Sequence, residues 1–296
     1  MALRLLLLVC LPALLATDAE AQAQLQFFAT IVDSSGAPGT AVQPGNIQVT
    51  ENGVEARLVK IEQVNWPLKV QLLVDNGVGL GRENLVSLRA GVRGFLEALA
   101  QGTEVTFVTT SPQPRFLVRA TTDREALLQG LGQLTPDSGS GRFVESLSEA
   151  TQRIERDKTD FFPVIVSVAT TSSDANARES MIQQLMGRLQ KRPTTVHVVL
   201  LTRAAGRTAS DGYIQHELGL NVTKFTGGRF ENIGAGAQLE TLLAEIGALV
   251  AKSNPGGASK FRITVERPGG ASGDLGKISV ILSGGFVVTD LSLTSR

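Results

Sequence analysis

The sequence is nearly without the side chains that most often carry metal and thiol chemistry. Among 296 residues there is one cysteine, Cys10, and there are two histidines, His197 and His216. A single cysteine excludes an internal disulfide. Two distant histidines without further cysteines exclude the ligand spacing of a zinc site. An excess of either charge is also missing: lysine plus arginine and aspartate plus glutamate number 28 each, with no long basic run. That balance argues against a general binder of nucleic acid or anionic membrane. The Gly-x-Ser-x-Gly elbow of a hydrolase is absent. So is the Gly-Lys-Ser or Gly-Lys-Thr of a phosphate loop. A dinucleotide fingerprint starting at Gly77 would need glycine where Arg82 stands. No acidic pair suited to glycoside hydrolysis sits at an obvious strand end.

The one conspicuous apolar run, Leu5 to Leu15, follows Arg4 and precedes the small-residue sites Ala19-Glu20-Ala21 and Ala21-Gln22-Ala23. This is the layout of a secretory signal peptide over residues 1–23. The run is shorter than the ~20 residues that a spanning helix needs. Cys10 lies within it, so the mature chain is expected to be cysteine-free, secreted or periplasmic, and without a membrane span.

What is present is a sequence of alternating elements. Pro67 to Val74 is an apolar run closed by Asp75 and the glycine-rich turn Asn76 to Gly81, and Leu85, Leu88, Val92, Phe95, Leu96 and Leu99 then recur at helical steps. Strand, tight turn and amphipathic helix open an α/β sheet, and residues just past such strands line its binding crevice. Further strands are expected at Val105 to Val108, Phe116 to Val118, Phe162 to Val168, Val196 to Leu201 and around Phe230. Helices are expected from the capping box Thr122 to Glu125, at Phe143 to Ile154, at Ile182 to Leu189, around Ile214 to Leu218 and at Leu239 to Leu249. The alternation predicts an α/β, doubly wound, mostly parallel sheet, flanked by a small β unit from the N- and C-terminal segments, which are expected to pack together. At the two ends the period is two. Phe27 to Val32 and the segments flanking Asn52-Gly53 read as a β unit over residues 24–64, with a hairpin at Asn-Gly. Beyond the linker Asn254 to Gly257, a C-terminal β segment spans 259–296, in which Gly284-Gly285 turns the chain from Ile278–Leu282 into Phe286–Leu293. The central domain is expected over residues 67–251.

Leu68 to Gly79 resembles the first strand and turn of a von Willebrand factor type A domain, where Asp-x-Ser-x-Ser is typical, and Thr226-Gly227-Gly228-Arg229-Phe230 resembles its late Thr-Gly-Gly segment. The hairpin with Glu51-Asn52-Gly53 before that domain is similar in layout to bacterial secreted proteins of the acidobacterial VWFA-related type. The resemblance implies a metal-ion-dependent adhesion site. Its first ligand falls on Asp75, its two serines on Gly77 and Gly79, its threonine near Gly141 beside Ser140, and its later aspartate near Thr170. Only Asp75 keeps its residue type. Magnesium favours near-octahedral oxygen and sheds water reluctantly, so a degenerate site and no metal or other cofactor are expected. A rearranged site using Ser140, Thr170 or Asp174 is the alternative, and an enzyme or nucleotide binder built on the Asp75 turn is another. The leading expectation is a non-enzymatic protein-binding or scaffold module with a partner in the cell envelope or extracellular space, not nucleic acid. Its binding edge is expected at Asp75, Asn76, Gly79, Ser140, Arg142, Thr170 and Thr171, with Arg142 as the fork-shaped donor. His197, inside an apolar strand, reads as a packed core residue, and His216 as a surface or packing residue. Asn221-Val222-Thr223 matches a glycosylation sequon by pattern only.

Overall fold

The computed structural model describes residues 24–37, 39, 42–171, 178–202, 212–253, 260–270 and 276–294. The expected leader with Cys10, the linker Asn254 to Gly257 and Asp174 lie outside the described residues. In chain order the elements are β1 (Gln24–Asp33), β2 (Ile47–Glu51), β3 (Val54–Gln63), β4 (Leu68–Val74), α1 (Leu85–Ala98), β5 (Glu104–Thr109), β6 (Arg115–Thr121), α2 (Arg124–Gly132) and α3 (Phe143–Arg156). They continue with β7 (Phe162–Thr170), α4 (Glu179–Lys191), β8 (Thr195–Leu201), α5 (Tyr213–Thr226), β9 (Phe230–Ile233), α6 (Gln238–Ser253), β10 (Lys260–Glu266), β11 (Ile278–Leu282) and β12 (Phe286–Thr294).

The central sheet has the order β6-β5-β4-β7-β8-β9. Each neighbouring pair is parallel except β5 with β6. Strands β7 and β8 read as nearly continuous apolar runs because both of their faces are covered, and β4 does so from Leu72 onward, after the half-buried Lys69 and Gln71. On one face Val70, Leu72, Val74, Val166 and Val199 pack under α1, α2 and α6. On the other Leu73, Ile165, Val198 and Leu200 pack under α3, α4 and α5. Helix α2 starts one residue later than the expected box: Asp123, not Thr122, is the N-cap, and its carboxylate accepts from the N–H groups of Glu125 and Ala126. A carboxylate here also faces the positive end of the helix dipole.

The terminal segments form a second six-stranded sheet, in the order β11-β2-β3-β10-β1-β12. The difference from the expected grouping lies within residues 24–64. Strand β1 pairs with β10 and β12 and not with the β2–β3 hairpin. Strand β10 lies between β1 and β3, so the hairpin joins β1 only through the C-terminal part of the chain. Asn52 (φ 51°) and Gly53 (φ 82°) make the hairpin turn with the positive φ that its twist demands. Gly284-Gly285 does reverse the chain, and β11 and β12, the two ends of the strand order, stay in contact, so the sheet curls on itself. Phe27, Ala29, Ile31, Val49, Phe261, Ile263 and Val265 fill the interior between them. Glu51, 6% exposed, and Arg267 form an ion pair here, with Gly276 N–H on the same carboxylate. The Arg267 guanidinium and burial act in opposite directions on Glu51, and its pKa lies below the usual carboxylate value.

The two sheets meet at an aromatic group. Phe28 of β1, Trp66 and Phe162 of β7 have ring centroids 5.0–5.3 Å apart. The Val64 N–H donates to Lys260 O at 2.8 Å, and the Thr30 hydroxyl donates to Ser253 O at 3.2 Å.

Candidate functional site

A parallel sheet delivers the carboxyl ends of its strands, and the loops that follow them, to one edge. The loops after β4, β5 and β7 meet there around Asp75, which is 2% exposed. Its Oδ1 accepts from the Gly77 N–H at 2.8 Å and from the Ser111 hydroxyl at 2.7 Å. Its Oδ2 accepts from the Thr170 hydroxyl. Ser111 and Thr170 are themselves buried. Gly141 closes the group from above: a Cβ there would stand 2.3 Å from Asp75 Oδ2. At Gly77 a Cβ would stand 2.2 Å from Gly139 O and 2.4 Å from Ser111 Oγ. Glycine at these two positions is thus set by packing, because the Asp75 carboxylate at Gly141, and Ser111 and the Gly139 backbone at Gly77, occupy the space a side chain would need.

The loop between α2 and α3 is sewn to the Asp75 turn. Asn76 Nδ2 donates to Thr135 O at 2.8 Å, Asp137 N–H to Asn76 O at 2.7 Å and Val78 N–H to Gly139 O at 3.0 Å. The edge is therefore a set of interlocked turns. Val78 and Ser138 are exposed on it, and Gly79, Ser140, Arg142 and Thr171 are half-buried. Arg142 precedes α3 and bends back, donating from Nε to Pro112 O at 3.0 Å. A second guanidinium stands nearby: Arg115 donates to Ser111 O at 3.2 Å and to Asp137 Oδ2 at 3.0 Å.

Of the positions taken from the resemblance, Asp75, Gly77, Gly141 and Thr170 come together, and Gly79 lies further along the same turn. Sequence reasoning missed Ser111 and Arg115. The available signal was Thr109-Thr110-Ser111, a run of hydroxyls directly after an apolar strand that neighbours β4. Among the described residues no three His, Cys, Asp or Glu side chains cluster as metal ligands would. One carboxylate whose two oxygens already accept three hydrogen bonds, with two buried hydroxyls, is a poor match to the six or more oxygens that magnesium or calcium requires.

His197 belongs to the core of β8, away from this edge. It is 3% exposed, and its Nδ1 accepts from the Arg229 N–H at 3.0 Å. Burial, with help from the Arg229 charge, lowers its pKa from 6.5 to about 4. The unfolded chain therefore binds the proton first as the pH falls, so the stabilising contribution is complete above about pH 6.5 and is lost between there and pH 4. Denaturant unfolding should show this residue weakening the fold by about 2 kcal/mol between pH 7 and pH 5. His197→Gln should remove that part of the slope; an identical slope in the variant would assign it to other groups.

No protein-family model matches the sequence, and no curated protein matches it. Solved structures do. A von Willebrand factor type A protein from Catenulispora acidiphila superposes with a TM-score of 0.53 at 12% identity, over 93% of this chain and 74% of that one. The manganese-loaded TRAP protein of Plasmodium vivax gives 0.48 at 14% identity, over 76% of this chain and 82% of that one. BatB of Bacteroides thetaiotaomicron gives 0.46 at 13% identity, over 63% of this chain and 100% of that one. The first of these carries the assignment: the chain has the von Willebrand factor type A fold.

Proposed function

We propose that the chain is a secreted, non-enzymatic protein-binding or scaffold module that works without a metal ion and recognises a protein of the cell envelope or extracellular space. The observation that carries this reading is the closed network at Asp75. Both carboxylate oxygens are engaged by groups of the chain itself, and Gly141 lies directly over them. A carboxylate so engaged serves the loops that surround it. It fixes the turn after β4 against the turns after β5 and β7, and a rigid edge loses little entropy on binding. Partner contact then rests on backbone groups and hydroxyls of Asn76 to Gly79, Ser138 to Ser140 and Thr171, with Arg142 and Arg115 as donors for a carboxylate. The apolar leader supports secretion.

The test is affinity capture from a cell-envelope extract with the mature chain, in magnesium and in chelator. The same partners are expected in both, and Gly79→Arg, placed on the half-buried turn, should lose them. Thermal melts in magnesium, manganese and chelator should coincide to within about a degree, since a ligand of weak affinity adds almost nothing through RT ln(1 + [L]/Kd). Partners recovered only in magnesium, with a metal-dependent rise in Tm that Asp75→Ala abolishes, would establish the rearranged adhesion site instead. Turnover of a substrate that a folded Asp75→Asn variant loses would establish the enzyme.

A further inference from the structure

Away from the Asp75 edge, a cleft of about 300 Å³ opens between the C-terminal half of α3 and strands β4, β5 and β6. Its cations are Lys69, Arg119 and Arg153, and its carboxylates are Glu104 and Asp157. Lys69 is already held, 2.7 Å from Asp157 and 3.7 Å from Glu104. The two arginines are not matched in the same way. Arg153 donates from Nε to Gln71 at 2.9 Å, and its Nη1 reaches Glu149 at 3.4 Å. Its Nη2 is buried and has no hydrogen-bond partner among the described residues. Arg119 has no carboxylate partner among the described residues. Both guanidiniums stack on one ring: Phe116 lies 4.9 Å from Arg119 Cζ and 5.3 Å from Arg153 Cζ, and it is 44% exposed.

These features belong together physically. A buried guanidinium nitrogen without an acceptor is costly, and an exposed aromatic ring flanked by arginines suits an acceptor carried on an apolar segment. Lys69 and Arg153 already have carboxylate partners in the chain and Arg119 has none among the described residues, which fits a single added carboxylate better than a doubly charged phosphate. Strand β6 borders the cleft and, among the described residues, pairs only with β5, so its outer backbone is open to an added strand. A strand added there places alternate side chains over the cleft.

We propose that this cleft is a second binding surface, which takes an acidic side chain of an extended segment from a protein partner, held between Arg119 and Arg153. The surface is separate from the Asp75 edge, and its test is independent of the one above. The full chain is titrated into a fluorescein-labelled peptide of alternating valine and glutamate, with the valine and glutamine peptide as control, and read by anisotropy. The glutamate peptide should bind, and the glutamine peptide should bind about tenfold more weakly or worse. Arg119→Gln and Arg153→Gln should each weaken the glutamate peptide by about tenfold, the scale of a lost charge-assisted hydrogen bond. Lys252→Gln, exposed on α6 at the opposite face of the central sheet, should change nothing. Arg119 is exposed, so its variant should keep the fold even if Arg153→Gln does not; circular dichroism checks both. Absence of binding, equal binding to the two peptides, indifference to Arg119→Gln, or displacement by inorganic phosphate at concentrations equal to the peptide's would each overturn the proposal.

Discussion

A chain ending at Ser253 is expected to lose the structure of residues 24–64 while its central α/β domain survives. Strand β10 is the reason. It holds β1 on one side and β3 on the other, over seven and six paired residues respectively. Without it, and without β12, β1 has no strand to pair with, and Phe27, Ala29 and Ile31, none of them measurably exposed, face water. Burial of a large apolar side chain contributes about 1.5–3 kcal/mol. The loss is compounded by Phe261, Ile263 and Val265, which leave with the truncated segment. The ion pairs Glu51–Arg267, Arg57–Glu266 and Glu62–Arg262 go as well. What remains is the β2–β3 hairpin, and an isolated hairpin is marginal in water. The central domain keeps both of its own cores. Limited proteolysis should therefore clear residues 24–64 from the truncated chain and stop near Val64 to Pro67, whereas the full chain resists. Equal protection of residues 24–64 in the two chains would mean that the hairpin and β1 find support that the sheet order does not show.

The same topology explains what the sequence displayed and what it hid. Strands β7 and β8, and β4 from Leu72 onward, are buried on both faces, and burial on both faces writes itself as a nearly continuous apolar run. Asn52-Gly53 was legible because a two-residue turn leaves a local chemical signature. The strand order of the terminal sheet was not, because it depends on pairs such as Gln24 with Glu266. Alternation announces that a strand has one buried face but carries no address for its neighbour. The antiparallel placement of β6 and the curl that brings the end strands β11 and β12 together were hidden for the same reason. At the candidate site Asp75 stood out, since a carboxylate after an apolar strand is conspicuous. Ser111 did not, because nothing local links it to a residue 36 positions earlier. The two glycines, Gly77 and Gly141, read from the sequence as missing ligands. In the folded chain they are contact positions, and their Cβ atoms are excluded by Gly139, Ser111 and Asp75.

Asp75→Ala should consequently act as a severe folding variant whatever the metal content of the buffer. The substitution leaves the Gly77 N–H, the Ser111 hydroxyl and the Thr170 hydroxyl without their common acceptor, all in a buried setting. Each such donor costs about 1–3 kcal/mol when left unpaired, and partial rearrangement brings the expected total to about 3–5 kcal/mol. For a domain of this size that corresponds to a fall in Tm of roughly 10 °C. Asp75→Asn separates hydrogen bonding from charge. An asparagine oxygen in the place of Oδ1 still accepts from Gly77 and Ser111, and its amide donates to the Thr170 hydroxyl, which can turn to accept. Its cost should be about 1–2 kcal/mol, well short of the alanine variant. A metal ligand would behave differently, since the neutral amide is a poor substitute for a carboxylate on a hard cation. Urea unfolding of the wild type and both variants, each with magnesium and with chelator, distinguishes the two roles. An order of wild type, Asn and Ala that is the same in both buffers fits a carboxylate that organises its own loops. If instead Asn falls to the level of Ala and only the wild type gains stability from magnesium, Asp75 is a ligand, and the edge it holds together is an adhesion site after all.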